Sequence, residues 1–472
     1  MKNKKQLGIY IHIPFCVRKC DYCDFLSGPA NNSVKAAYAE ALKCEIAHTA
    51  GILKRRSGWA FGRQGMSCKE PVDLVETGRL NTDCMKEVQP ELYQVETIFI
   101  GGGTPTAVNA EFIAQILDEV RKSFCVSPAA EITIECNPGT LTREKADIYR
   151  SAGINRISFG LQSADDGLLR LIGRIHTWED FENSFEIARA AGFENINVDI
   201  MSALPGQSLA GYVNGLERVL EYKPEHISAY SLILEEGTPL GDNPSNYPPV
   251  PDEDTEREMY YETLRLLRAY GYHRYEISNY AKQGCECRHN LSYWERKHYL
   301  GFGVGAASLF EGKRMSNIRS VDEYIRLMGC GRNLAESADS TESRLRAEVE
   351  VLSREDAMSE FMFLGLRKTA GVSFADFAEQ FGVDIRSVFG DALEENVTKG
   401  LLEYVDGSGN AVGGAISAKM EAAVAGGVSA ETEAAVSGGV STETAATAAH
   451  TGCRLTSRGT DVSNFVLADF LL

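Results

Sequence analysis

A chain of 472 residues is long enough to bury a large core, and its length allows two or three domains. Its formal net charge of −18 argues against sequence-independent binding to nucleic acid or to an anionic membrane surface, since both need clustered Lys and Arg. No run of about eighteen apolar residues occurs, so no membrane-spanning helix is expected.

The first predicted strand covers 7–13 and empties into Cys16, Cys20 and Cys23, after which 33–53 shows the helical spacing of Ala, Leu and Ile. The run 7–15 is short, is broken by His12 and Pro14, and lacks a small-residue cleavage site, so it does not read as a signal peptide. Residues 57–90 interrupt the pattern with scattered Gly, Pro, Cys68 and Cys84 and are expected to form a surface insert. Further strands are predicted at 95–100, 131–136, 154–159, 195–200 and 226–233, each followed by an amphipathic segment. The last of these helices, 252–270, carries acidic residues at its start, where the helix dipole favours them. Six strands alternating with helices predict an α/β fold with a parallel sheet over 1–272, curled by right-handed crossovers into a barrel or part of one. In such folds chemistry sits at the carboxyl ends of the strands. The cysteines and the run Gly101-Gly102-Gly103-Thr104-Pro105-Thr106 both fall there.

Residues 273–350 read as a connecting segment. A smaller α+β domain is expected over 351–472, with helices at 355–368, 374–380 and 384–399, a strand at 401–405 and a partner strand at 454–456, in a winged-helix-like arrangement. Between the two strands, 411–450 contains the repeat EAAVAGGVSAET (421–432) and EAAVSGGVSTET (433–444), without aromatics, Leu or Pro, and is expected to be a disordered insert. A wing suggests DNA, yet 350–406 holds twelve acidic residues against five basic ones, which favours a packing or lid role over nucleic-acid binding.

The cysteine loop carries the chemistry. Spacings of three and then two residues, with Pro14 stiffening the approach, let one short turn wrap three thiolates around a compact metal centre. Three thiolates hold three irons of a [4Fe-4S] cubane and leave the fourth iron open to a small molecule. A structural zinc site would need a fourth ligand close by, and His12, on the strand leading into the loop, reads as hydrogen-bonded to its neighbours. Twelve cysteines, three of them needed as thiolates, suit a reducing cytoplasmic interior better than a disulfide framework.

Cys-x3-Cys-x2-Cys after a strand resembles the signature of the radical S-adenosylmethionine (SAM) superfamily. Within it, Tyr10-Ile11-His12-Ile13-Pro14-Phe15-Cys16, the glycine run and Leu204-Pro205-Gly206-Gln207 look like the branch that holds oxygen-independent coproporphyrinogen dehydrogenase and the heme chaperone HemW. The resemblance implies an α/β fold with a partial (β/α)6 TIM-like radical SAM barrel over 1–272 and a C-terminal domain of the HemW/HemN type. It also implies a [4Fe-4S] cluster on Cys16, Cys20 and Cys23, and SAM, whose S–C5′ bond breaks on reduction to give a 5′-deoxyadenosyl radical. An electron donor for the cluster follows from the same chemistry. By the same resemblance, Tyr10 and Tyr22 flank the cluster, Gly102, Gly103 and Thr104 approach the methionyl group, Glu135 contacts SAM, and Gln162, Arg174 and Asp199 line the cavity above it. Arg156 and His176 are placed near the same rim without a role, and no catalytic residue is assigned.

The dehydrogenase carries a further cysteine two residues after the third, where this chain has Phe25 following Asp24. Cys23-Asp24-Phe25 and His289-Asn290-Leu291-Ser292-Tyr293-Trp294 instead resemble HemW and its HNxxYW pattern. That resemblance implies heme as a further ligand, an acceptor protein that receives it, and His289, Tyr293 and Trp294 as heme candidates, with Cys285 and Cys287 as alternative ligands. The alternatives are a coproporphyrinogen dehydrogenase of porphyrin biosynthesis, and an iron-sulfur binding module without radical chemistry.

Overall fold

The computed structural model describes residues 5–57, 93–329, 338–412 and 450–472. The insert expected at 57–90 lies outside these residues except for Ser57, as does the repeat of 421–444. The chain divides into two compact units, one formed by residues up to 274, 278–292 and 297–351, the other by 275–277, 293–296 and 352–472.

In the first unit strands and helices alternate as β1 (Lys5–Ile13), α1 (Asn32–Ser57), β2 (Tyr93–Gly102), α2 (Ala110–Ser123), β3 (Val126–Cys136), α3 (Arg143–Ser151), β4 (Arg156–Gln162), α4 (Asp166–Leu171), α5 (Trp178–Ala190), β5 (Asn195–Ser202), α6 (Leu209–Glu221) and β6 (His226–Ser231). The six strands pair in chain order and all in parallel. Helices on one face explain why the strands are apolar there: Leu7, Ile9, Ile11 and Ile13 of β1 are at most 2 % exposed. The alternate residues Tyr10 and His12 face the other way, into the barrel. Side-chain caps start α2 through α6. Asn109 accepts from the Glu111 amide ahead of α2, and Thr177 with Asp180 forms a capping box at α5.

The sheet does not stop at the sixth strand. After α7 (Pro239–Asp242) and α8 (Glu253–Ala269) come β7 (His273–Arg274), β8 (Asn279–Ala281), α9 (Arg288–Trp294), β9 (Tyr299–Phe302), β10 (Ala307–Phe310), β11 (Lys313–Asn317), α10 (Val321–Met328), α11 (Ala338–Leu345) and β12 (Arg346–Val351). Their strands extend the sheet to the order β12-β11-β10-β9-β1-β2-β3-β4-β5-β6-β8-β7. The segment expected as a connector is thus largely part of the barrel unit. Glu45 of α1 holds it there, accepting from the Gly303 amide at 2.8 Å, from Asn317 Nδ2 at 2.8 Å and from the Tyr324 hydroxyl. Burial alone pushes that carboxyl up, and these donors pull it back.

The second unit contains α12 (Arg354–Gly365), β13 (Val372–Ser373), α13 (Phe374–Phe381), α14 (Arg386–Thr398), β14 (Leu402–Val405), β15 (Ala411–Val412), β16 (Gly452–Leu455), α15 (Ser457–Asp461) and α16 (Ser463–Ala468). Its antiparallel sheet runs β13-β16-β14-β15, two strands more than the expected wing. Met362, Leu366, Phe377, Phe389, Leu393 and Phe470 pack its core. The boundary of the expected disordered insert is corrected at both ends. Ala411 and Val412 pair with β14 across a turn in which Asp406 accepts from the Ser408 and Asn410 amides, and His450 stacks on Tyr404 at 4.4 Å. Composition changes at the turn, whereas strand pairing continues beyond it.

Candidate functional site

The loop after β1 is stapled to its surroundings. The Cys16 amide donates to the Gly28 carbonyl and the Gly28 amide to that of Pro14, each at 3.0 Å, while the Cys23 amide donates to Cys20 O at 3.3 Å. Asp21 anchors the middle: its amide donates to Ile172 O (3.0 Å), its carbonyl accepts from the Leu240 amide (2.9 Å), and its carboxylate accepts from the Tyr247 hydroxyl at 3.1 Å. His12 does bond to its neighbours, through Nε2 to Leu26 O at 2.9 Å and through Nδ1 to the Tyr10 hydroxyl at 3.0 Å. A carbonyl only accepts, so Nε2 carries the proton and Nδ1 accepts from the tyrosine.

Cys16, Cys20 and Cys23 are free thiols and partly exposed. Burial raises the Cys23 thiol, and the neighbouring Cys20 and Cys16 sulfurs add to the effect. A cationic metal centre would reverse it, since bound iron favours thiolate. Among the described residues no three His, Cys, Asp or Glu side chains converge on a single ion. A cubane distributes its three thiolates over three irons, so its ligands stand further apart.

Two donors address these sulfurs. Thr104 Oγ1 donates to Cys16 Sγ at 3.5 Å, and Arg174 Nη1 to Cys20 Sγ at 3.6 Å. Arg174 also donates through Nη2 to Asn137 Oδ1 at 2.9 Å and to the Gly160 carbonyl, while its buried Nε has no hydrogen-bond partner in the protein. Soft sulfur donors flanked by a cation and a hydroxyl suit an anionic iron-sulfur centre, and an orphaned guanidinium N–H suits an anionic ligand group beside it.

Two half-buried carboxyls stand on the barrel wall near this loop. Glu135 is raised to about 8, first by burial and then by Asp199, although its Oε2 accepts from the Gly102 amide at 2.9 Å. Asp199 is raised by burial, against the pull of the hydrogen bonds from Asn197 and Ser228 and of the Arg156 and Arg174 charges. Tyr22 has Cys20, Cys23, Arg174 and Asp199 as its charged neighbours, and Tyr10 lies near Glu135. Gln162 closes β4 with φ 73°, a left-handed conformation that costs strain, and its Oε1 accepts from the Tyr230 hydroxyl at 2.8 Å. The expected residues of the cluster and of SAM binding therefore gather at one end of the barrel. Asn137 and Tyr230 belong to the same wall and were not singled out by any motif.

The glycine run serves the protein's own packing as well as any ligand. A Cβ on Gly102, whose φ is +105°, would lie 2.3 Å from the His12 ring, and one on Gly103 would lie 2.8 Å from the Ile13 and Phe15 carbonyl oxygens.

His289 and Arg156 lie elsewhere. Arg156 opens β4, at the amino end, so its expected place near the rim is corrected; strand direction decides this. His289, fully enclosed, pairs its Nδ1 with Thr97 Oγ1 at 2.8 Å and stacks on Phe99 at 5.3 Å. Burial and the Arg156 charge lower it to about 3, so the ring is neutral. Glu131 takes the amides of Arg288 and His289 at 3.1 and 3.0 Å, with the Cys287 thiol at 3.6 Å. Cys285 is partly exposed and Cys287 buried. Tyr293 and Trp294 belong to the second unit, where the Arg367 guanidinium lies over the Trp294 ring at 4.8 Å. His176 is buried with Nε2 3.1 Å from Leu161 O, and burial lowers it to about 3.

A parallel barrel with three loop thiols after its first strand defines a radical SAM protein, and the sequence profile of the Radical SAM superfamily matches residues 10–219. The HemN C-terminal domain profile matches 352–408. Coproporphyrinogen III oxidase (HemN) from Escherichia coli shares the fold, with a TM-score of 0.70, 19 % identity, and coverage of 99 % of this chain and 90 % of that one. The heme chaperone HemW of Bacillus subtilis is 37 % identical over 395 residues, 83 % of this chain and 92 % of its own length. HemW of Escherichia coli is 37 % identical over 301 residues, 64 % of this chain and 69 % of its own length. The chain belongs to the HemW family of radical SAM proteins. Among the described residues no helix is long and apolar enough to cross a membrane.

Proposed function

We propose that this chain is a heme chaperone that holds a [4Fe-4S] cluster on Cys16, Cys20 and Cys23, binds SAM beside it, binds heme, and passes heme to an acceptor protein in the cytoplasm. The observation that carries the cofactor reading is three partly exposed thiols addressed by Thr104 and Arg174, with two half-buried carboxyls whose protons are held by their surroundings. Family membership supports heme transfer.

When bound and reduced by an external donor, the cluster supplies an electron and an iron position free of protein ligands. The chain's own residues do the positioning. Arg174 and Thr104 polarise the thiolates through their donors to Cys20 and Cys16. Glu135 and Asp199 await a cationic or hydroxyl-bearing partner, and a cation there would draw Glu135 back toward ionisation. Gln162 and Tyr230 fix the wall between them.

The test is anaerobic reconstitution of the full chain, followed by heme titration and product analysis. We expect cluster absorbance, a stable heme spectrum, heme delivery to an apo-acceptor, and no protoporphyrinogen from coproporphyrinogen with SAM and reductant. Turnover of coproporphyrinogen would instead establish the dehydrogenase reading, and cluster binding without any response to SAM the plain binding module. His289 is fully enclosed, so its surroundings must open for Nε2 to reach heme iron even if Nδ1 keeps Thr97, and His289→Ala separates its two roles. A changed heme spectrum with intact thermal stability assigns it as ligand; lost stability with an unchanged spectrum assigns it to packing and makes the partly exposed Cys285 the next candidate.

A further inference from the structure

Asn137 follows β3 directly and lies between Arg174 and Thr104. A guanidinium can only donate, so the atom that receives Arg174 Nη2 at 2.9 Å must be the amide oxygen. That leaves Nδ2 facing Thr104 Oγ1 at 2.8 Å, and the hydroxyl must accept from it. The single hydroxyl proton of Thr104 is then left for Cys16 Sγ at 3.5 Å. Arg174 meanwhile reaches Cys20 Sγ directly, at 3.6 Å. One cation thereby sets the donor direction toward two sulfurs, one by contact and one through an amide and a hydroxyl. The space for this chain is kept by Gly160, where a Cβ would lie 3.1 Å from Asn137 Oδ1 and 3.3 Å from Arg174 Nη2.

Resting on the cluster reading above, we propose that Asn137 is a positioning residue of the iron-sulfur site, which relays the donor polarity of Arg174 through Thr104 to the Cys16 sulfur. An amide is suited to this because it accepts at one end and donates at the other. A carboxylate of the same shape accepts at both. Aspartate at position 137 would keep Arg174 but turn the Thr104 proton toward itself, removing the donor from Cys16.

The experiment is a redox titration of the reconstituted full chain, followed by electron paramagnetic resonance, with iron per chain measured in parallel. Hydrogen bonds to the sulfurs favour the reduced, more negative cluster, so losing one makes reduction harder. We expect Asn137→Asp to retain its iron and to shift the reduced-to-oxidised ratio at a fixed potential by roughly threefold or more toward the oxidised form, the scale of one hydrogen bond. Thr104→Val should give a similar shift, Thr104→Ser should restore the wild-type value, and Asn137→Asp on top of Thr104→Val should add less than it does alone, the remainder being the direct effect of the new carboxylate charge. Asn137→Ala adds neither a charge nor a competing acceptor, so the Thr104 proton can still reach Cys16 and the shift should be smaller than that of Asn137→Asp; should the aspartate unfold the loop, an unchanged ratio in Thr104→Val overturns the relay. An unchanged ratio in iron-replete Asn137→Asp, or a full shift surviving in the Thr104→Val background, would overturn the relay while leaving the cluster assignment standing. Wild-type protein that assembles no cubane would remove both.

Discussion

The two ends of the barrel are furnished with the same kinds of side chain and treat them differently. At the amino end Glu131, Arg156, His226 and His289 are all less than a tenth exposed, and both Glu131 oxygens accept backbone amides of the 287–289 segment. At the carboxyl end three thiols stay partly exposed, and burial raises both Glu135 and Asp199. Buried oxygens that take backbone amides stabilise a fold; raised carboxyls beside open sulfur mark a place built for a ligand.

Changing sulfur breaks this contrast most sharply. Cys16→Ala, Cys20→Ala or Cys23→Ala should each abolish the iron-sulfur absorbance, whereas Cys287→Ala at the amino end and Cys125→Ala should leave it. Survival of the chromophore without Cys20 would put the cluster elsewhere. Cys44, on α1, is disulfide-bonded, although the cysteine usage reads as suiting a reducing interior better than a disulfide framework, and its replacement should also spare the absorbance.

Next come two substitutions that test packing at opposite ends. Glu131→Ala leaves two buried amides and a thiol without their acceptor and should cost about 2–5 kcal/mol in chemical unfolding, with the cluster spectrum unaltered. Gly102→Ala forces a side chain into a left-handed backbone and onto His12, costing roughly 2–4 kcal/mol, and should lower iron content as well. If Glu131→Ala removed the cluster, the two ends would not be independent.

Glu135 sharpens the contrast through pH. Its folded value, about 8, lies above the ordinary 4.5, so the folded state keeps a proton that the unfolded state releases. Relative to Glu135→Gln, the wild-type apoprotein should lose stability as pH rises from about 4.5 to about 8 and level off above. A pH-independent difference in melting temperature would show that Glu135 titrates normally. The smallest effect belongs to Tyr247→Phe, which removes one hydrogen bond to Asp21 of the cysteine loop; we expect about 1 kcal/mol and slower cluster loading.

Periodicity and covalent adjacency were readable directly. Alternating apolar runs announced six parallel strands, because each must bury one face under a helix. The cysteines and the glycine run were placed at carboxyl ends by sequence order alone. Element ends were less legible: the run expected to 233 leaves the sheet at Ser231, and Ile233 is 69 % exposed, since pairing rather than apolarity ends a strand. Strands of two residues, such as β7 and β13, carry no period to detect. Tertiary structure alone decided which polar groups meet. Asp21 finds Tyr247 across 226 residues, Asn137 joins Arg174 to Thr104, and His289 enters the amino end of the barrel against Thr97, 192 residues away in sequence. Such meetings depend on strand register and on where each crossover returns, and a local stretch of sequence contains neither.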